Sequence, residues 1–254
     1  MTLMDFPIIL FVVAFSVLWL AARCGAALRR HRQGLKEAER DDFGLILGST
    51  LTLLALIIGF SFSMAISRYD QRKSYEEAEA NAIGTEYLRA DLLPVDDAAK
   101  LRTLLGKYLE QRILFYEAPR SQMVVEAINV RTVQLQDELW SAVRPAASAQ
   151  PTPITALAVA GMNDVLNSQG YTQAAWWNRI PPAAWILMFQ IAIFGNILLG
   201  YYLHDPDAKK VLFLILPLIL AISFFLIADL DSPRGGLIRI HPQNLISLSG
   251  SMHP

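Results

Sequence analysis

Residues 43–67, FGLILGSTLTLLALIIGFSFSMAIS, run for 25 positions without an Asp, Glu, Lys or Arg. As a helix that run would reach about 37 Å, longer than the ~30 Å hydrocarbon core of a bilayer. It therefore reads as a membrane-crossing helix that tilts or projects past the lipid. Three further stretches are free of charge in the same way, at 6–22, 180–203 and 211–228. The first is not a typical secretory signal: no Lys or Arg precedes it, and Arg23, Arg29 and Arg30 follow where a cleavage site would stand. It reads as a retained helix extending to about residue 28.

Working outward, the chain divides into transmembrane helices at 6–28, 43–67, 180–203 and 211–228, an extramembrane helical domain at 68–179 and a C-terminal tail at 229–254. The third span opens on Pro181-Pro182, a natural helix start, and the fourth contains Pro217, which a membrane helix tolerates. Only His204–Lys210 joins these two spans, so they should form an antiparallel hairpin. Over the whole chain 54% of the 254 residues are hydrophobic and 18% charged, and the net charge is −1. Ordinary soluble domains carry roughly 25% charged residues. These values exclude a soluble enzyme, a disordered chain and a secreted disulfide scaffold. No basic excess points to nucleic acid. Cys24, the single cysteine, can form no internal disulfide.

The inserted domain, 68–179, carries 12 Lys/Arg and 14 Asp/Glu and reads as helix throughout. Its first helix should continue the second span across Ser67-Arg68 and stop at Pro94. Asp96 and Asp97 suit the start of the next, whose Leu101, Leu104, Leu105, Tyr108 and Leu109 recur three and four apart. Pro119 ends it, and 121–143 repeats the pattern. Residues 145–153, PAASAQPTP, read as a loop, and 154–177 as a last helix weakened by Gly161 and Gly170. The tail after Ser247 reads as unstructured from its Ser, Gly and Pro. The expected fold is all-α: four transmembrane helices with an extramembrane helical bundle between spans 2 and 3. Counting Lys and Arg near the spans gives eight beside the 23–42 and 204–210 loops and six on the opposite side. Positive charge favours the cytoplasm, so the helical domain is expected outside an inner membrane.

No catalytic signature is present, neither a phosphate loop, nor His-Glu-x-x-His, nor Gly-x-Ser-x-Gly. His31, His204, His241 and His253 are scattered, which gives no converging ligand set; neither a metal nor a cofactor is expected. Within the second span Thr52, Leu56, Phe60 and Ser63 share one helix face. If several copies met there, the face would form an apolar constriction ending in hydroxyls, able to gate ions by dewetting. The alternative is a packing face within one subunit, because small and hydroxyl residues also mark helix contacts. Ala80 and Gly84, four apart, admit a close helix, with Asn81 beside them. Asp229 and Asp231 at the end of the fourth span need partners. Arg234 and Arg239, or Arg68 and Arg72, could supply them, either as a structural lock or as an ion-selecting cluster.

Three blocks carry a resemblance: residues 59–72 (GFSFSMAISRYDQR), 79–89 (EANAIGTEYLR) with Leu92-Leu93-Pro94, and 229–239 (DLDSPRGGLIR). They resemble the bestrophin-like family of bacterial multi-pass membrane proteins. Gly59-Phe60 and Ser67-Arg68-Tyr69 also resemble, more distantly, the neck-lining helix of bestrophins, which are pentameric anion channels. The resemblance implies a homo-oligomer, a pentamer by analogy, that conducts inorganic ions, with the second span lining the pore. Of the neck's bulky positions Phe60 matches, while Leu56 and Thr52 differ, and no acidic calcium-clasp run is seen. The rival expectation is a non-conducting sensor or scaffold whose helical domain binds a ligand or partner.

Overall fold

The computed structural model describes residues 3–31, 37–149, 151–203 and 211–252. The hairpin loop 204–210, with His204, Lys209 and Lys210, lies outside these residues, as do Arg32, Lys36 and His253. Among the described residues eight α-helices follow one another: α1 Pro7–His31, α2 Glu37–Arg89, α3 Val95–Glu117, α4 Gln122–Ala149, α5 Pro153–Trp177, α6 Pro182–Tyr202, α7 Leu212–Asp231 and α8 Gln243–Met252. No strand occurs among the described residues. Among the described residues, four helical segments are apolar and long enough to cross a membrane. The protein is an all-α, multi-pass membrane protein.

The chain packs as two compact units. One comprises 1–68 and 179–238, the other 69–178 and 239–254. The division falls inside α2, whose 53 residues run through Ser67-Arg68 without a break. At ~1.5 Å per residue α2 is about 80 Å long.

In the first unit α1 packs against α6 and α7. Leu10, Ala14, Leu18 and Ala22 recur every fourth residue and are buried. The α1–α6 crossing is backbone on backbone. A Cβ on Gly25 would strike the carbonyl of Ile197, and one on Gly200 would strike that of Ala22. Small residues permit such an approach where lipid offers no hydrophobic drive to association. Trp185 and Phe189 of α6 meet Phe224 of α7, so the start of one helix lies beside the end of the other and the pair is antiparallel. Arg29 donates to the carbonyls of Tyr201 and Tyr202 at the C-terminal end of α6, the favoured place for a cation.

The second unit is a bundle of the latter part of α2 with α3, α4, α5 and α8. Its core gathers Ile83, Leu101, Leu105, Tyr108, Leu135, Leu139, Met162 and Val165. α5 starts on a capping box between Thr152 and Thr155, with Pro153 at its first position.

Two expectations fail. The predicted loop at 145–153 is mostly helix, because α4 continues through Pro145 to Ala149. Pro145 is exposed and in the final turns, so it forfeits little, and the alanine-rich sequence favours helix. Nor is the tail after Ser247 unstructured, since α8 runs to Met252. Leu245 and Met252 are buried and Leu248 packs beside them. Tertiary burial outweighs the poor helix propensity of Ser and Gly.

Candidate functional site

Between residues 43 and 67, α2 buries only Leu47, Leu54, Ser61 and Ala65. Leu54, Ser61 and Ala65 follow at steps of seven and four and define the inward stripe. Thr52, Leu56, Phe60 and Ser63 all point away from it and are exposed, Leu56 at 54% and Phe60 at 64%. The Thr52 hydroxyl donates to the Gly48 carbonyl, 2.9 Å away, and so adds no unmet donor to the face. Gly44, Gly48, Ser49 and Leu53 form with Thr52 and Leu56 an open concavity along the same helix. On the other side of α2, Ala55, Ile58 and Phe62 line an apolar groove of about 420 Å³ with Leu220, Ser223 and Ile227 of α7.

The acidic end of α7 is held in two different ways. Asp231 is buried; it accepts Nε of Arg179 at 2.9 Å and the backbone N–H of Ile180 at 3.1 Å, with Arg68 at 3.6 Å. Arg179 reaches on to Asp5 at 3.0 Å. Asp229, also buried, accepts the backbone N–H groups of Leu237 at 2.6 Å and Ile238 at 2.8 Å. The loop closes tightly here, because a Cβ on Gly236 would fall 2.5 Å from the Asp229 carbonyl. Arg234 lies half-buried in that loop. Of the expected arginines, Arg68 does reach Asp231. Arg179 was not singled out in the sequence, and backbone donors satisfy Asp229.

In the second unit Arg72 is buried and donates to the carbonyls of Ala175 and Asn178, each at 3.1 Å. These carbonyls close α5, so the cation sits on the negative end of that helix. Ala80 is buried, Asn81 is exposed, and Gly84 faces Leu248 of α8, whose Cδ1 would lie 3.0 Å from an added Cβ. Asn81, Thr85, Asn244 and Ser251 give this α2–α8 groove a polar lining.

Apart from Arg72, sequence reading missed the charged interior of this bundle. Arg72, Glu76, Glu79, Ile83 and Glu86 recur three and four apart on α2 and are all buried. That periodicity was the available signal, but Glu and Arg on a helix normally read as a solvated face. Glu79 accepts Arg112 Nε and the hydroxyls of Tyr116 and Thr172. Burial and the Glu79 carboxylate push the Tyr108 and Tyr116 hydroxyls above their ordinary range. Burial works against the Arg112 charge, yet Glu79 and Tyr108 hold that guanidinium above its usual value. Glu76 caps α8 by accepting the backbone N–H groups of Asn244 at 2.9 Å and Leu245 at 3.0 Å. Among the described residues no group of three or more His, Cys, Asp or Glu could hold a metal ion.

Fold and exposed face together define a class: a four-span helical membrane protein with a helical bundle inserted between spans 2 and 3. The model of the Bestrophin-like domain matches residues 8–245, and the chain belongs to that family. Crystal structures of a bacterial Bestrophin homolog from Klebsiella pneumoniae share the fold. A point variant superposes with TM-score 0.68 at 13% identity, covering 97% of each chain. Another structure of the homolog gives TM-score 0.63 at 14% identity, covering 97% of this chain and 99% of that one. No curated protein matches the sequence.

Proposed function

We propose that this protein is an oligomeric ion channel of bestrophin-like type in which α2 lines the pore. The observation that carries the reading is the exposure of Thr52, Leu56, Phe60 and Ser63 within their own unit. An intrasubunit packing face would bury them. Copies meeting along this face would enclose an apolar constriction at Leu56 and Phe60, with hydroxyls on either side at Thr52 and Ser63. Such a ring of large apolar side chains blocks ions by dewetting until it widens. One four-span subunit is too small to enclose a path, so the channel is a homo-oligomer, a pentamer by analogy with bestrophins. The resemblance points to inorganic anions as the permeant species. Asp229 and Asp231, with Arg68, Arg179 and Arg234 near them, serve as a structural lock at the end of α7, because buried carboxylates need fixed partners. The protein sits in the inner membrane, with its helical domain on the extracytoplasmic side by the balance of Lys and Arg.

Current across a planar bilayer holding the purified protein, under a salt gradient, tests this reading. A reproducible current supports it, and the reversal potential gives the sign of the ion. The second reading is a non-conducting sensor or scaffold whose helical domain binds a ligand or partner. Val95, Met123 and Trp177 are exposed apolar residues of that domain. Silence across voltage, pH and calcium would favour this second reading.

A further inference from the structure

Glu86 lies in the α2 segment of the second unit, with 0% of its surface exposed. Neither carboxyl oxygen has a hydrogen-bond partner. An ionised carboxylate in that position would be costly, because its lost hydration is not replaced. Glu86 presses on α5 at Gly161: a Cβ there would collide with Oε2 of Glu86 and with the Arg89 guanidinium. No side chain stands between this carboxyl and the α5 backbone. The charged groups acting on it are Arg89, one turn along α2 and half-buried, and Asp164 of α5, which is exposed.

We propose that Glu86 is a proton-binding site that latches α2 to α5: protonated, its neutral carboxyl seals against Gly161, and once ionised it draws water in and parts the seam. This goes beyond conduction and does not depend on it. Burial pushes the Glu86 carboxyl from 4.5 up to about 8, with Arg89 opposing and Asp164 assisting. The raised value means the closed seam holds its proton where an opened, hydrated one does not. The closed state is therefore strongest below about 4.5 and loses that advantage as pH rises to about 8.

Hydrogen exchange on the full chain in lipid nanodiscs reads the latch directly. After correction for hydroxide catalysis, the opening of α5 amides around Gly161 should rise about tenfold per pH unit from pH ~5 to ~8 and then level off. Glu86→Gln, which mimics the neutral acid, should remove that dependence. PH-independent opening in the wild type overturns the proposal. Infrared spectra of the wild type need no variant to fold. They should show an un-ionised carboxylic acid at neutral pH that titrates near pH 8, and its absence also overturns the proposal.

Discussion

Arg112 meets Glu79 with Nε 2.5 Å from Oε1, and both side chains are completely closed off from solvent. The pair joins α3 to α2 at the centre of the bundle, and Tyr116 and Thr172 bring in α3 and α5 through the same carboxylate. Removing one partner of such a pair leaves an uncompensated buried charge, which costs about 3–5 kcal/mol. Glu79→Gln or Arg112→Leu should therefore lower stability by about that amount in unfolding of the purified protein. Replacing both with apolar residues should recover most of the loss. Equal loss in the single and double variants would show that the pair's charges are not its contribution.

Phe60→Ala separates the two functional readings because Phe60 is exposed in its own unit. A buried phenylalanine would cost about 3–5 kcal/mol on truncation, whereas an exposed one should change subunit stability by less than about 0.5 kcal/mol. In a channel the substitution should raise unitary conductance or leave the pore constitutively open. Unchanged currents together with lost stability would place Phe60 in a packing contact.

Gly25 and Gly200 face backbone carbonyls of the opposite helix, so the obstacle cannot swing aside as a side chain would. Gly200→Ala should force α1 and α6 apart and cost about 1–3 kcal/mol, read as a lower melting temperature in detergent. Gly48→Ala serves as the control, since nothing lies within 4 Å of its added Cβ, and it should leave stability unchanged or slightly improved.

Glu76→Ala removes the acceptor at the N-terminus of α8. Loss of a helix cap costs about 0.5–2 kcal/mol. The amides of Asn244 and Leu245 should lose protection from hydrogen exchange while those of α3 and α4 keep theirs. Protection unchanged at both positions would mean that the apolar contacts of Leu245 and Met252 hold α8 without the cap.

Much of this protein is legible in the residue pattern. Charge-free runs long enough for a bilayer determined the four spans, because a continuous helix satisfies all of its own backbone polar groups in lipid. The three- and four-residue spacing of Leu101, Leu105 and Tyr108 determined α3, and Thr52, Leu56, Phe60 and Ser63 could be placed on one face by geometry alone. Which way that face points could not be read from its residues, since Leu and Phe suit lipid, a subunit contact and a core equally.

Tertiary structure decided the rest. It turned a Ser- and Gly-rich tail into α8, because Leu245 and Met252 found a core and Glu76 supplied a cap. It carried α4 through Pro145, and it gave Asp231 an arginine from position 179 and Asp229 the backbone of its own loop. It also put Glu79 and Glu86 inside the bundle, one with an arginine and one without a partner. Local sequence sets helix tendency and the period of a face. Burial of a charge depends on which distant residues arrive to meet it, and only the packed chain brings those together.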